Sequence, residues 1–218
     1  MVAAAPDPAV VAEAAAALRA GDLVAFPTDT LYALAADPFR PGALDRVFAA
    51  KGRDAAKAVS LLLADASMAV PLVSGLPAAA QALMDRFWPG PLTIIVPAAQ
   101  GLPQALVSAG GGIGLRVPRG ALAWTLIWAS GGPLVGTSAN RAGGPEPWDA
   151  MAVLRQVGQH LALLLDGGPT SLGVPSTVVD CTCQPPRVLR AGALTLEALQ
   201  AILPEIVPPP PLSDPRKW

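Results

Sequence analysis

The chain has 218 residues, of which 52% are hydrophobic and 14% are charged, and its formal net charge is −1. This size fits one medium domain or two small ones with a large apolar core, and the near-zero charge excludes a global field that attracts nucleic acid. The sequence has no run of about eighteen uncharged apolar residues and its N-terminus has no basic start, so we expect a cytoplasmic protein without a membrane span or signal peptide.

Helices and strands are predicted along the whole chain in an irregular mixture. Asp7 and Pro8 predict the N-cap and first residue of a helix, and Gly21 predicts its end. In chain order there follow a strand at 23–26, a helix at 41–50, a strand at 59–63, a helix at 77–87, strands at 92–96 and 113–117, a helix at 121–129, a strand at 134–137, a helix at 148–157, strands at 161–165 and 177–179, and a helix at 196–202. The mixture predicts one α/β domain over residues 1–203, and the prolines at 208–211 predict an extended or poorly ordered tail over residues 204–218.

Four short polar segments stand at the ends of these apolar elements. They are residues 27–32 (PTDTLY), 51–53 (KGR), 137–140 (TSAN) and 176–180 (STVVD), and Arg190 follows the last. Ligands of open α/β sheets bind at strand ends, so the segments together predict an anion-binding cleft. Each segment alone also has a purely structural interpretation, because cations at helix ends are usually solvated and hydroxyl groups often cap turns.

Arg116 is the most informative single charge. It lies inside an apolar strand, and Leu115 and Val117 share the opposite face of that strand. A guanidinium that points inward needs an anionic partner, whereas one that points outward is solvated. The strand alone does not decide between these two orientations.

Other familiar signals favour structural roles. The glycines at 110–114 lack the spacing of a dinucleotide fingerprint and predict a turn before a strand. Cys181 and Cys183 are separated by one residue, so a disulfide between them would be strained, which predicts two reduced thiols. His160 has no acidic or cysteine neighbour in sequence, which favours a packing or surface role and argues against a Ser-His-Asp triad.

The order of the motifs is more specific than any of them alone. PTDTLY, KGR, WPGPLT, LRVP, TSAN, DGGP and STVVD follow one another between about residues 18 and 192. This series resembles the YrdC-like family, the L-threonylcarbamoyladenylate synthases, in its short single-domain form. The resemblance implies a twisted mixed α/β sheet flanked by helices around a deep cationic cleft. It also implies that L-threonine, bicarbonate and ATP are condensed to threonylcarbamoyl-AMP and pyrophosphate, and that threonylcarbamoyl-transferase partner proteins use the product to modify tRNA.

The resemblance further implies roles for individual side chains. Lys51 and Arg53 are the expected catalytic cations, which stabilise charge on the phosphates. The expected ATP ligands are Lys51, Arg53, Ser138, Asn140 and Arg190, and the expected L-threonine ligands are Thr28, Thr30, Tyr32, Lys57, Arg116 and Ser176. Arg116 would pair bidentately with the threonine carboxylate. Mg²⁺ is expected to accompany ATP without a protein cage of carboxylates, and direct tRNA binding is left open.

The sequence departs from the family pattern at two motif positions, and other functions stay open. Ala33 stands where the family has glycine and Asp54 where it has proline, and neither change removes an assigned side chain. One alternative is a non-catalytic module that binds double-stranded RNA or tRNA in the same cleft. Another is a carbamoyl-transfer domain of the hydrogenase-maturation kind, which is disfavoured because such domains lie in longer chains with acylphosphatase and zinc-finger segments. ATP consumption that depends on threonine separates the enzyme from the RNA-binding module.

Overall fold

The structure is a computed structural model that describes residues 7–52 and 58–209. Its helices are α1 (Pro8–Ala20), α2 (Ala43–Lys51), α3 (Ala78–Phe87), α4 (Ala121–Ser130), α5 (Ala150–Val157) and α6 (Leu196–Gln200). Its strands are β1 (Val24–Pro27), β2 (Tyr32–Ala35), β3 (Leu61–Leu62), β4 (Leu92–Pro97), β5 (Gly112–Arg116), β6 (Leu134–Val135), β7 (Thr137–Ser138), β8 (Leu163–Leu164), β9 (Thr177–Asp180) and β10 (Arg187–Arg190). No helix of this part of the chain is long and apolar enough to cross a membrane.

The strands form two mixed sheets, which confirms the predicted α/β class. One sheet has the order β7-β2-β1-β8 and the other the order β10-β9-β4-β5-β3-β6. Strands β6 and β7 are consecutive in sequence but belong to different sheets, and Gly136 carries the chain between them. A side chain at Gly136 would collide with that of Leu62, so glycine permits the close approach of β6 to β3 at this crossing.

Helices cover the apolar faces of both sheets. Helices α1 and α4 contribute Leu18 and Leu126 to a core cluster that also holds Phe26 of β1. The larger core cluster lies on one face of the six-stranded sheet and includes Ile94 and Leu115. Helix α1 has the predicted ends, because the Asp7 carboxylate accepts a hydrogen bond from the backbone of Ala9 and Gly21 adopts a left-handed conformation.

The opposite face of the six-stranded sheet mixes small and polar residues with the apolar Ile95 and Leu62. Strands β4 and β5 pair antiparallel, with Ile94 opposite Leu115, so the core-facing residues alternate with Thr93, Gly114 and Arg116 on the other face. A Cβ added to Gly114 would lie 3.2 Å from the Ser60 Cβ and 3.6 Å from the Thr93 Cγ2. These small residues therefore form a row across β3, β5 and β4, beside which Arg116 lies.

Two strands were not predicted. No strand was predicted over the Tyr-Ala-Leu-Ala segment of β2, which contains no β-branched residue, but pairing with β1 and β7 makes it a fully buried strand. Strand β10 pairs with β9 through an irregular register and holds Arg190 at its end. The predicted strand at 59–63 is shorter than expected and covers only Leu61–Leu62.

The described part of the predicted C-terminal tail is extended at Val207 and lies against the domain. Ile206 is buried, and the backbone N–H of Val207 donates to the carbonyl of Pro186. Extended backbone next to proline is compatible with pairing alongside a strand, and the apolar side chains of this segment gain from burial. The proline run itself continues into residues 210–218, which lie outside the described residues.

Candidate functional site

The turn between β1 and β2 is closed by its own threonines. The Thr28 Oγ1 donates to the carbonyl of Leu31 at 2.7 Å and accepts from the backbone N–H of Thr30 at 3.2 Å. The two hydroxyl groups of Thr28 and Thr30 are 3.0 Å apart. Thr28, Asp29 and Thr30 are all buried. The first motif therefore forms a compact turn that holds its polar side chains inside the protein.

Arg116 points inward, against this turn, and is 6% exposed. Its Nε donates to the carbonyl of Gly90 at 3.0 Å, its Nη1 to the Thr30 Oγ1 at 2.8 Å, and its Nη2 to the Asp29 Oδ1 at 2.5 Å. Burial lowers the pKa of the guanidinium, and the charge of Asp29 opposes that shift. The inward orientation is thus correct, but the anionic partner that the sequence argument required is Asp29 of the protein itself.

Asp29 is a site residue that the sequence interpretation did not assign. Its Oδ1 also accepts from the backbone N–H of Arg119 at 3.1 Å, and its backbone carbonyl accepts from the Ser171 Oγ and the Leu172 N–H, each at 3.1 Å. Asp29 therefore joins the β1–β2 turn, the end of β5 and the loop before β9. The sequence feature that could have pointed to Asp29 is its position as an acid between two threonines in the first motif.

A second cluster lies where β4 and β9 begin. The Ser176 Oγ and Thr93 Oγ1 are 2.9 Å apart. The Arg190 Nη2 donates to the carbonyl of Ser176 at 2.8 Å and to its Oγ at 3.0 Å. Ser176 and Arg190 were assigned to different ligands, yet the fold brings them into contact. Thr93 was missed, although it belongs to the WPGPLT motif and alternates with core residues along β4.

Lys51 belongs to a third cluster, and its environment differs from the expected one. It was predicted to stand at a helix end in contact with phosphates, but it is only 4% exposed. Its Nζ donates to the carbonyl of Ser138 at 2.6 Å, and to the carbonyl and Oδ1 of Asn140 at 2.9 and 3.2 Å. Lys51 thus holds the turn that follows β7, which brings three of the predicted site residues together.

The Asn140 side chain makes its hydrogen bonds within the protein. Its Oδ1 accepts from Lys51 and, at 2.7 Å, from the Ser138 Oγ, and its Nδ2 donates to the carbonyls of Gly144 and Pro145 at 3.1 and 3.2 Å. An amide side chain offers two donors and two acceptor lone pairs, and these four contacts use them. Asn140 therefore shapes the turn after β7, and its contact with a nucleotide stays a prediction.

Tyr32 has no exposed surface in the structure, and its predicted contact with L-threonine stays a prediction. Its hydroxyl lies 2.8 Å from the carbonyl of Gly168 and 3.1 Å from the Asp166 Oδ1, and it accepts from the Gly167 N–H at 3.3 Å. Burial, together with Asp166, raises the pKa of Tyr32 to about 12. Tyr32 is a positioning residue for the DGGP loop, because the central strand β2 directs its ring into the core.

The remaining predicted residues are Arg53 and Lys57, which lie outside the described residues. Within the described ranges, no group of three or more His, Cys, Asp and Glu side chains could hold a metal ion. Mg²⁺ needs few protein ligands when phosphates supply the others, so the expected Mg²⁺ ion does not depend on such a group of side chains. A cavity of about 370 Å³ between Trp88 and Trp124 shares no side chain with the predicted site.

Comparison with known proteins supports the motif series. A family model named Sua5_yciO_yrdC, described as "Telomere recombination", matches residues 16–192. The chain belongs to the Sua5/YciO/YrdC family. This finding confirms the resemblance drawn from the motifs, and it accounts for the two mixed sheets flanked by helices.

Family members named threonylcarbamoyl-AMP synthase are among the similar proteins. The one from Bacillus subtilis is 39% identical over 205 residues, which cover 94% of this chain and 59% of that protein. The one from Pyrococcus abyssi is 38% identical over 193 residues, with 88% of this chain and 57% of that protein covered. A putative threonylcarbamoyl-AMP synthase of Mycobacterium tuberculosis is 38% identical, with 88% of each chain covered. The chain therefore spans less than two thirds of the first two relatives and most of the third.

Solved structures of Sua5/YciO/YrdC proteins have the same fold. Pyrococcus abyssi Sua5 complexed with L-threonine superposes with a TM-score of 0.87 at 37% identity, covering 91% of this chain and 58% of that one. Escherichia coli YciO gives a TM-score of 0.80 at 25% identity, covering 89% and 94%. The described residues thus form the fold that these family members share.

Proposed function

We propose that this protein is a threonylcarbamoyl-AMP synthase. In this reaction the amine of L-threonine and bicarbonate form a carbamate with loss of water. A carbamate oxygen then attacks the α-phosphorus of ATP, and the bond to pyrophosphate breaks. The protein is thereby a nucleotidyltransferase whose substrates are L-threonine, bicarbonate and ATP. No covalent intermediate on the protein is required, because catalysis of this kind depends on positioning and on charge stabilisation.

The observation that carries the proposal is the buried Arg116, which is held by the first motif turn beside a row of small residues. A guanidinium fixed on a sheet face by Gly90 and Thr30 is preorganised to receive a carboxylate. A relative with the same fold has been solved in complex with L-threonine. These findings support amino-acid binding at the end of β5.

The other clusters suit the nucleotide part of the reaction. Ser138 lies on a turn that Lys51 and Asn140 hold rigid, and its Oγ retains acceptor capacity after donating to Asn140. Arg190 supplies a cation beside Ser176. We assign Arg53 and Lys57 the contacts with phosphate and substrate that their motif predicts, and we expect Mg²⁺ to enter with ATP, whose charge it offsets. Threonylcarbamoyl-transferase partner proteins in the cytoplasm would then pass the product to tRNA.

The proposal is tested by product analysis. The full chain is incubated with ATP, L-threonine and bicarbonate, and pyrophosphate and threonylcarbamoyl-AMP are measured. We expect both products only when all three substrates are present. ATP cleavage to ADP and phosphate regardless of threonine contradicts the proposal, and RNA binding without pyrophosphate release favours the non-catalytic RNA-binding module.

A further inference from the structure

The Asp29 carboxylate is incompletely hydrogen-bonded although it is buried. Its Oδ1 accepts from Arg116 and from the backbone of Arg119. Its Oδ2 is buried and has no hydrogen-bond partner among the residues that the structure describes. A buried carboxylate oxygen without a donor is destabilising, and such groups in native proteins call for an explanation.

Arg116 also has donor capacity that the protein does not use. A guanidinium carries five N–H groups, and Arg116 directs three of them to Gly90, Thr30 and Asp29. Two N–H groups, one on each Nη, are left without a partner within residues 7–52 and 58–209. The ion pair as a whole therefore has two donors and one acceptor available, on neighbouring groups of opposite charge.

The charges determine which ligand fits this arrangement. A ligand with only a carboxylate would bring a second negative charge next to Asp29, and like charges at such distances repel strongly in a buried site. An α-amino acid carries an ammonium group one carbon away from its carboxylate. Bound with its carboxylate on Arg116 and its ammonium on Asp29, it places each charge beside an opposite one and buries no net charge.

We propose that Asp29 binds the α-amino group of the amino-acid substrate through Oδ2, while Arg116 binds its carboxylate. The inference rests on the proposed function, because it assumes that the amino acid enters this site. It makes Asp29 the residue that selects an α-amino acid over the same acid without its amine. It also explains why an acid forms a hydrogen-bonded ion pair with the arginine that receives the carboxylate of the ligand.

The test combines two ligands with two proteins. L-threonine and 3-hydroxybutanoate differ only in the amine, and Asp29→Asn removes the negative charge while retaining an oxygen for Arg116. Dissociation constants are measured by calorimetric titration on the full chain. We expect Asp29→Asn to weaken L-threonine binding about 10- to 150-fold, as for the loss of a charge-assisted hydrogen bond, and to strengthen 3-hydroxybutanoate binding, because the carboxylate of this ligand no longer lies next to a like charge. The matched control is Asp85→Asn, an exposed acid on α3, which should change neither.

The possible results separate the inference from the proposed function. If Asp29→Asn weakens the binding of both ligands equally, Asp29 only holds Arg116 in place. If it leaves threonine binding unchanged, Asp29 does not contact the amine. Either result overturns the inference and leaves the proposed function intact. If Asp29→Asn does not fold, the wild-type protein decides, because equal affinity for the two ligands contradicts a contact with the amine. Absence of threonine binding to the wild type, together with absence of pyrophosphate release, refutes the proposed function.

Discussion

Replacing Lys51 by methionine separates two views of this residue. Methionine keeps the apolar stem but removes the ammonium group. A cation at a solvated helix end contributes only about 0.3–1 kcal/mol, so the sequence alone predicts a small loss of stability. The structure predicts more, because Lys51 is 4% exposed and its Nζ donates to two backbone carbonyls and to the Asn140 Oδ1.

The size of the effect follows from these contacts. After the change the Asn140 Oδ1 retains the Ser138 Oγ as a donor, but the carbonyls of Ser138 and Asn140 both lose the donor that Lys51 provides. Each unsatisfied buried acceptor costs about 1–3 kcal/mol, and relief from burying an ammonium group offsets part of this loss. We therefore expect the free energy of unfolding to fall by about 2–4 kcal/mol.

Urea denaturation monitored by tryptophan fluorescence measures this free energy. The matched control is Arg155→Met, which removes an exposed cation from the last turn of α5 and should cost less than about 1 kcal/mol. A Lys51→Met protein that is as stable as the Arg155→Met protein would refute the argument from burial. It would also return Lys51 to the role of a solvated cation that is free to meet phosphates.

Three further outcomes are expected. Tyr32→Phe should lower the free energy of unfolding by about 1–3 kcal/mol at neutral pH. The pKa of Tyr32 is raised from 10.0 to about 12 in the folded protein, so the stabilising effect of its hydroxyl group is present below pH 10 and is lost as the pH rises towards 12. Urea denaturation at several pH values should show this loss in the wild type and not in Tyr32→Phe. Iodoacetamide at pH 8 should alkylate Cys183 in the folded protein but not Cys181, because burial raises the pKa of the Cys181 thiol to about 12. In the denatured protein, mass spectrometry should find both cysteines modified. Ile206→Ala should lower the free energy of unfolding by about 2–4 kcal/mol in urea denaturation because Ile206 is buried, and a loss under about 0.5 kcal/mol would instead indicate a poorly ordered tail.

Local patterns in the sequence were sufficient for much of the fold. The proline and glycine positions predicted both ends of α1, and the alternation around Arg116 placed Leu115 and Val117 on one face of their strand and Arg116 on the other. These features depend on residues close in sequence, whose backbone preferences and side-chain periodicity act before any tertiary contact forms. The order of the motifs was likewise enough to predict the family, which the matching family model confirmed.

Only the tertiary structure decided how the polar residues are used. The sequence shows that Arg116 needs an anion if it points inward, but Asp29 lies 87 residues away in the chain, and nothing local relates the two. Lys51 and Asn140 are 89 residues apart for the same reason. A charged or amide side chain can reach solvent, a ligand or another part of the protein, and the choice depends on which segments the fold brings together. Burial makes that choice energetically decisive, because a polar group removed from water must find its partner inside the protein or in a bound ligand.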